Sequence, residues 1–488
     1  MTTAAGRQGQ PVPLLVGIQV GAISFVDEGI DEVLDIFQST AGVNAVFVAT
    51  QSFDRGVQGR QVPGQPWPGH GSTAEDDHWG GSYVTQHAEY YASTAVGPYR
   101  APDREVAGFD VLERVIPLAR ARGISVYSFV LENTHSGLAR AVPGWPAVLQ
   151  VDAWGRTDRY ACVRNPGYVS WLLALIEDQV KSYPLDGLMF GSERNGPLGN
   201  LLAGGGFARD ANPYCFCPHC LEAGFQRGID FRRAREGLLA MYDLLWGAHE
   251  ESAEGDSHFV RFLRLLLRFP EVLAWEQLWH DGYLDLHKRI YGQVKFLAPA
   301  VQVGWHIWHH NSFSPLYRAQ MDFSDIAGYA DFIKPVLYNN CAGYRLHHHI
   351  DTVAKALFPG AAEQAVYGLY EGVLGYDEGT RFDELAQAGL SPGYVRDETG
   401  RAVAAVGGKA RVYPGLDVNV PTPAHAKKTT PAEIRASVLA ALEGGADGFV
   451  LSRKYSEMTL DNLSAVGATL RQRARSTTPS PGARDAGL

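Results

Sequence analysis

Short apolar runs alternate along the chain with segments of helical periodicity, and this alternation predicts an α/β protein with a parallel sheet. The runs are almost continuously apolar, which is typical of strands that are covered on both faces. Eight such runs are present. They are "LLVGIQV" (14–20), "NAVFVAT" (44–50), "ISVYSFVLEN" (124–133), "DGLMFGSE" (186–193), "VQVGWHIW" (301–308), "DFIKPVLY" (331–338), "ARVYPGLDV" (410–418) and "DGFVLSR" (447–453).

Helix signals lie between these runs. "FDVLERVIPLARARG" ends on Gly123, which suits a helix C-terminus, and "TPAEIRASVLAALEGG" has a Thr-Pro start and a Gly-Gly end. Eight strands alternating with helices are the count of a (β/α)8 TIM barrel. The rival architecture is an open doubly wound sheet, but no glycine-rich phosphate loop follows the first strand. The sequence therefore predicts a TIM barrel.

The spacing between the predicted strands is uneven, so we expect large loop insertions after strands 2, 4 and 6. The insertion at about 205–295 has strong helical periodicity. One barrel catalytic domain is expected over 14–474. A flexible N-terminus (1–13) would precede it, and a disordered tail (475–488) would follow.

Composition narrows the class of partner. The formal net charge is −10 and there is no basic tract, so we expect neither nucleic acid nor an anionic membrane as a partner. No segment resembles a secretory signal or is long and apolar enough to span a bilayer. The five cysteines do not form a secreted disulfide framework. We expect a cytoplasmic protein that acts on a small-molecule sugar, and a homo-oligomer is left open.

Two carboxylates stand at predicted strand ends, where a TIM barrel carries its reactive groups. The fourth run ends on Glu193 among several glycines, and the seventh ends at Asp417 on the opposite side of the barrel. A pair of carboxylates flanking one bond is what glycoside cleavage requires. We predict that Glu193 is the general acid/base, with a pKa raised by burial. Asp417 is predicted to be the nucleophile, or the base of an inverting reaction.

Other polar and aromatic residues near the strand ends and in the insertion after strand 2 are expected to bind the substrate. Aromatic rings present flat faces to a sugar, and charged groups hold its hydroxyls. Glu132 and Glu371 are also alternative carboxylate partners for Glu193. The predicted substrate-binding residues are Gln19, His78, Trp79, His87, Glu132, Arg194, Trp305, His306, Trp308, Tyr338, Asn339, Glu371, Arg453, Lys454 and Tyr455.

Three thiols, Cys215, Cys217 and Cys220, lie within the six residues of "CFCPHC". Thiolates this close favour a soft metal such as zinc. A free-thiol helix cap without metal explains the spacing equally well. Because the segment lies in an insertion, a zinc here would be structural, and no cofactor is expected in catalysis. The candidates for the fourth ligand are Cys162, Cys341 and His219.

Several stretches taken together resemble a known family, the glycoside-hydrolase-like (β/α)8 proteins. This bacterial set is related to α-amylase-like and β-galactosidase-like barrels, and the resemblance spans most of residues 14–470. The stretches are "GFDVLERVIPLARARGISVYSFVLEN", "ACVRNPGYVSWLLALIEDQVKSYPLDGLMFGSE", "CFCPHC", "DFIKPVLYNNCAGYR" and "DGFVLSRKYSEM".

The resemblance implies a sugar-active barrel with an acid/base glutamate at the end of strand 4, which matches Glu193. "CFCPHC" is similar to the cysteine cluster of some barrel β-galactosidases, where a zinc is bound. Two positions depart from the β-galactosidase-like pattern. Ser192 precedes Glu193 where that clan has Asn, and Asp417 stands where that clan has a Glu nucleophile.

The sequence therefore predicts a glycoside hydrolase that acts on a small glycoside or oligosaccharide. Two alternatives stay open. A metal-dependent sugar isomerase, epimerase or lyase would use Glu193, His306 and Asp417 as metal ligands. A carbohydrate-binding pseudoenzyme would bind sugar without turnover.

Overall fold

The computed structural model describes residues 13–52, 67–71, 81–102, 106, 108–132, 142–203, 211–247 and 256–477. Apart from residues 13 and 475–477, the predicted flexible N-terminus and disordered tail lie outside the described residues. His78 and Trp79, predicted to bind substrate, also lie outside them. Residues 475–477 belong to the last helix.

Eight parallel strands close into a barrel, because β1 pairs both with β8, Leu15 opposite Gly448, and with β2, Gly17 opposite Ala45. Each predicted run overlaps one of these strands, so the prediction of a (β/α)8 barrel is confirmed. The strands are β1 (Leu15–Gly21), β2 (Ala45–Ser52), β3 (Ser125–Glu132), β4 (Gly187–Ser192), β5 (Gln302–Ile307), β6 (Phe332–Leu337), β7 (Gly415–Asp417) and β8 (Gly448–Ser452).

Helices surround the barrel, and in the part of the chain that is described none is long and apolar enough to cross a membrane. The long helices are Val111–Ala121, Pro166–Ser182, Phe231–Trp246, His258–Arg268, Glu271–Leu297, Asn339–Leu357, Glu363–Leu374, Pro392–Val406, Pro431–Glu443 and Leu460–Thr477. The shorter helical segments are Ala22–Glu28, Ile30–Ile36, Phe37–Ala41, Ala88–Tyr91, Trp145–Val148, Pro197–Ala203, Pro218–Gln226, His309–Ser312, Pro315–Gln320, Phe323–Ile326, Ala327–Tyr329, Phe382–Glu384, Leu385–Ala388 and Tyr455–Glu457.

Local sequence accounts for several helix ends. Thr430 and Glu433 form a reciprocal capping box at the start of Pro431–Glu443, as the Thr-Pro signal predicted. Gly123 follows Val111–Ala121 with a φ of 70°, a left-handed conformation that favours glycine. These caps define where the barrel helices begin and end.

Additional elements lie between the barrel strands. Helices from Pro197–Ala203 to Glu271–Leu297 lie between β4 and β5. A short antiparallel hairpin, Leu149–Val151 with Thr157–Ala161, lies between β3 and β4, and the sequence analysis did not predict it. This hairpin and the helical segment after β4 flank the end of strand β4.

The barrel interior has two levels. Toward the strand starts, the rings of Phe47, Tyr127 and Phe332 pack together, with Phe47 stacked on Tyr127 at 4.6 Å; we call these three the aromatic plug. A Cβ at Gly304 would lie 2.1 Å from the Phe332 ring, so only glycine leaves room there. Toward the strand ends, polar side chains replace the branched aliphatic residues that are usual in a barrel. We call Gln19, His306, Lys334 and Ser452 the polar layer.

Candidate active site

Glu193 follows β4 directly, and its side chain is 29% exposed. Its Oε1 accepts a hydrogen bond from Nε2 of His306 at 3.0 Å. Burial raises the pKa of Glu193, but the hydrogen bond from His306 and the charges of Arg345 and Lys334 outweigh burial and lower it overall. The prediction of a raised pKa was therefore wrong, and the carboxyl group is set up to stay ionised.

The polar layer connects this carboxylate to the far side of the barrel. Lys334 is fully buried, and its Nζ donates to Oε1 of Gln19 at 3.1 Å and to the Tyr338 hydroxyl at 3.0 Å. The same Nζ lies 3.4 Å from Nδ1 of His306, and Ser452 donates to Gln19 at 2.6 Å. Burial lowers the pKa of Lys334 to about 7, with Glu193 opposing that shift. Residues of β1, β5, β6 and β8 thus belong to one hydrogen-bonded network that reaches Glu193 after β4.

Asp417 stands at the end of β7 but is only 1% exposed. Its Oδ1 accepts from the Val420 backbone N–H at 3.0 Å and from Oγ1 of Thr429 at 2.9 Å. Its Oδ2 accepts from the Cys341 backbone N–H at 2.9 Å. Burial raises the pKa of Asp417 despite these donors. The two carboxylates therefore have pKa shifts opposite to those that their predicted roles require.

Glu132 and Arg194 form a buried ion pair, with Oε2 and Nη2 2.9 Å apart and side chains 2% and 1% exposed. Tyr168 and Ser192 donate to the Glu132 carboxylate at 2.9 and 2.6 Å. Arg194 also donates to the Ala161 carbonyl at 2.6 Å. Both charged groups are buried and bound to other protein groups. They therefore lie beside Glu193 without an exposed surface that a sugar could contact.

Trp305 faces away from the barrel interior. Neighbouring residues of a strand point to opposite faces, so His306 inside places Trp305 outside. Its Nε1 donates to the Tyr329 carbonyl at 2.9 Å, and the ring is fully buried. Trp305 is therefore not at the barrel mouth, contrary to expectation.

Four further predicted residues have partners elsewhere in the molecule. Asn339 donates to the Leu390 carbonyl and accepts from Ser437. The ring of His87 lies 2.7 Å from Asp178 on helix Pro166–Ser182, and this hydrogen bond raises its pKa. Glu371, on helix Glu363–Leu374, accepts from the Glu378 backbone. Tyr455 donates to Glu28 at 2.9 Å and is fully buried. The structure does not bring these residues to Glu193.

The loops after β5 and β8 supply other predicted residues. Arg453 donates from Nε to Glu457 at 3.0 Å and keeps 32% of its side chain exposed. Nζ of Lys454 lies 3.6 Å from the same carboxylate. Trp308 is almost fully buried and packs edge-on against Tyr317 at 5.7 Å. Of these residues, Arg453 has the side chain most open to a ligand.

Sequence reasoning missed the importance of Lys334 and of Arg345. Arg345 donates to Nδ1 of His309 at 3.0 Å, and its guanidinium lies 5.8 Å from the Tyr338 ring centre. Lys334 interrupts an otherwise apolar run, and this charge inside a buried strand was the available signal. No comparable signal marks Arg345, which lies on helix Asn339–Leu357.

The structure brings four cysteines together: the ligand atoms of Cys162, Cys215, Cys217 and Cys220 all lie within 4.8 Å of one another. We call them the cysteine cluster. Sγ of Cys162 is 3.6 Å from that of Cys220 and 3.5 Å from that of Cys217. A tetrahedral zinc with thiolate ligands separates its sulfurs by about 3.8 Å, so the donor set fits zinc.

The cluster selects Cys162 among the three candidates for a fourth ligand. Cys341 lies at the start of helix Asn339–Leu357 beside Asp417, and His219 is exposed. Hydrogen bonds with the neighbouring thiols lower the pKa of Cys217, which favours the thiolate form that binds metal. Cys162 follows the hairpin strand Thr157–Ala161, so the cluster joins this hairpin to the segment after β4.

Neither protein-family models nor curated proteins match the chain. Solved structures do match. A β-galactosidase from the haloarchaeon Halorubrum lacusprofundi superposes with a TM-score of 0.52 at 13% identity, covering 97% of this chain and 59% of that one. An α-L-fucosidase isoenzyme from Paenibacillus thiaminolyticus gives a TM-score of 0.48 at 13% identity, covering 95% and 50%.

A third structure, the PgaB glycoside hydrolase domain from Bordetella bronchiseptica, gives a TM-score of 0.48 at 13% identity, covering 94% of this chain and 98% of that one. The chain thus spans about half to three-fifths of the length of the first two. At these identities the likeness concerns the fold. The β-galactosidase superposition confirms the barrel fold that the sequence resemblance implied.

Proposed function

We propose that the protein hydrolyses O-glycosides at the C-terminal face of the barrel, with Glu193 as the ionised carboxylate that acts at the anomeric carbon. The observation that carries this proposal is the setting of Glu193, an accessible carboxylate at the end of β4 whose pKa is lowered by His306 and nearby cations. A carboxylate that stays ionised suits a nucleophile, or a base that deprotonates water, better than a proton donor. The shared barrel of the haloarchaeal β-galactosidase supports the proposal at the level of fold.

Asp417 is the proposed proton donor, because burial raises its pKa. For this role its carboxyl group must exchange one protein donor for the glycosidic oxygen. Glu193, or a water that gives its proton to Glu193, forms the new bond to the anomeric carbon. The bond from that carbon to the leaving oxygen breaks, and the leaving oxygen takes the proton of Asp417. Direct attack leaves the sugar esterified to Glu193. Water then attacks the anomeric carbon, Asp417 takes a proton from that water and the bond between the carbon and Glu193 breaks, so the configuration of the sugar is retained. Attack by water in a single step would invert it.

The test of the proposal is a panel of 4-nitrophenyl glycosides assayed with the wild-type protein and with Glu193→Gln. The control is Glu222→Gln, which makes the same change at an exposed glutamate. We expect turnover of at least one glycoside, a loss of about 100-fold or more in Glu193→Gln, and no loss in the control. Wild-type protein that turns over no glycoside of the panel, or full activity in Glu193→Gln, would contradict the proposal. Sugar binding without any turnover would instead support the carbohydrate-binding pseudoenzyme.

The metal-dependent isomerase, epimerase or lyase receives no support from the geometry. It requires Glu193, His306 and Asp417 as ligands of one ion, but among the described residues these three side chains do not form a group arranged to hold a metal. Within the described ranges, the cysteine cluster is the only group of three or more side chains arranged to hold a metal.

We also propose that the cysteine cluster binds a structural zinc. The four buried thiols have the spacing and the soft donor atoms of a closed zinc site, and they connect two chain segments near Glu193. The test is the zinc content of protein reconstituted under reducing conditions. We expect about one zinc per chain in the wild type and in Cys341→Ser, whose cysteine lies outside the cluster, and loss of zinc in Cys162→Ser. Wild-type protein that takes up no zinc would contradict the proposal.

A further inference from the structure

Three residues on neighbouring strands lie in register beside Glu193. Gly191 of β4 is the register partner of His306 on β5, and His306 is the register partner of Lys334 on β6. A Cβ at Gly191 would lie 2.7 Å from Cβ of His306, so the missing side chain of Gly191 leaves the space that the imidazole fills. The backbone therefore fixes where the ring sits, and hydrogen bonds fix which nitrogen carries its proton.

The hydrogen bonds of His306 can be assigned from the chemistry of its partners. An ionised Glu193 only accepts hydrogen bonds, so Nε2 of His306, 3.0 Å from Oε1, must carry a hydrogen. Burial lowers the pKa of His306, and the charge of Lys334 lowers it further, which favours the neutral ring. A neutral imidazole has one N–H, so Nδ1 is left as an acceptor.

Lys334 supplies the donor that Nδ1 needs. Its Nζ lies 3.4 Å from Nδ1, 3.1 Å from Oε1 of Gln19 and 3.0 Å from the hydroxyl of Tyr338. In its ammonium form Nζ has three hydrogens, one for each of these three neighbours. The lysine is fully buried in the barrel interior, so protein groups determine its orientation.

We propose that Lys334 is a positioning residue for Glu193: by donating to Nδ1 of His306, it fixes the imidazole tautomer that donates from Nε2 to the carboxylate. The inference rests on the proposed role of Glu193. It assigns a function to a buried charge that a barrel core would otherwise exclude. Without this donor, Nδ1 can take the proton itself, and Nε2 would then face Glu193 as a second acceptor.

The first test measures the tautomer directly and needs no substrate. Nitrogen-15 NMR of histidine-labelled full-length protein distinguishes a protonated from an unprotonated ring nitrogen, and His306→Gln identifies the His306 signals. We expect Nε2 protonated and Nδ1 unprotonated in the wild type near neutral pH. A wild-type ring protonated only on Nδ1 would overturn the inference.

The second test compares Lys334→Met with Lys355→Met, which changes an exposed lysine paired with Asp351. In Lys334→Met we expect loss of the Nε2–H tautomer and a fall in kcat of about tenfold or more with little change in KM. The acidic limb of the plot of kcat/KM against pH should also move to higher pH, because removing the Lys334 charge raises the pKa of Glu193. Lys334→Gln, whose amide can still donate, should restore part of the tautomer and of kcat. An unchanged tautomer and pH profile in Lys334→Met would overturn the inference.

The two readouts separate this inference from the proposed function. The expected tautomer in a protein without glycosidase activity would contradict the proposed function and leave the hydrogen-bond assignment standing. Activity that depends on Glu193 but is indifferent to Lys334 would contradict the positioning role alone. The charged and titratable groups around the His306–Glu193 pair that also act on the pH profile are Lys334, Arg345, Arg453, Tyr338, Tyr283, Tyr317 and His309.

Discussion

Asp417 accepts three hydrogen bonds from the protein, and its two conceivable roles predict different responses to substitution. As a proton donor, Asp417→Asn should lose activity on alkyl glycosides, whose leaving groups need a proton. Activity on 4-nitrophenyl glycosides, whose leaving group departs as a stable anion, should be largely kept. As a purely structural residue, Asp417→Asn should lose activity on both substrates together with thermal stability. The ratio of kcat/KM for the two substrates, measured beside the melting temperature, decides between the roles.

The buried pair of Glu132 and Arg194 also makes a residue-level prediction. Arg194→Met leaves the Glu132 carboxylate buried without its cation, so we expect a loss of about 3–5 kcal/mol in the free energy of unfolding. The double variant Arg194→Met/Glu132→Gln removes the uncompensated charge and should recover part of this loss. Urea unfolding of the two variants checks the prediction, and a single variant as stable as the double one would contradict it.

Strand β4 depends on the absence of a side chain at Gly191. In Gly191→Ala the new methyl group would lie 2.7 Å from Cβ of His306, an atom fixed to the neighbouring strand. We expect a lower melting temperature and reduced activity, because the imidazole must move away from Glu193. Gly292→Ala is the matched control: no atom lies within 4 Å on helix Glu271–Leu297, and alanine should stabilise this helix by up to about 1 kcal/mol. Equal effects in both variants would contradict the prediction.

At the level of elements, the eight strands were predictable because each is buried on both faces and reads as an apolar run. The hairpin Leu149–Val151 with Thr157–Ala161 was missed, because "LQVDAWGRTDRYA" has no such run. The inward or outward direction of each residue was not assigned either. Trp305 was therefore predicted at the site although its neighbour His306 is the inward residue.

The chemistry of the site depends on contacts between distant parts of the chain. Lys334 meets Gln19, 315 positions away, and Glu193 meets His306, 113 positions away. The sequence identified Glu193 as a candidate because it stands at a strand end. The direction of its pKa shift could not be predicted, because it depends on these distant partners. For the same reason the sequence left three candidates for the fourth cysteine ligand, which only the folded chain reduces to Cys162.

Several histidines are buried across the whole molecule, and this predicts a loss of stability in acid. Burial lowers the pKa of His287 and of His349 to about 4. Between pH 6.5 and about 4 the unfolded chain therefore binds more protons than the folded one, so stability is full above pH 6.5 and falls on acidification. Each such histidine contributes at most about 1.4 kcal/mol per pH unit.

Urea unfolding between pH 7.5 and pH 4.5 measures this effect. His349→Gln should flatten the dependence of the unfolding free energy on pH in this range, because one of the buried bases is removed. A pH dependence that is as steep in His349→Gln as in the wild type would show that other groups cause the acid sensitivity.

The aromatic plug determines from which end of the barrel a ligand can enter. Phe47, Tyr127 and Phe332 fill the barrel toward the strand starts, so the barrel is closed at that end. A molecule that reaches the polar layer enters and leaves through the same opening. In the proposed glycosidase, a released sugar would leave through the opening by which the next substrate enters, so we expect product inhibition that is competitive with substrate.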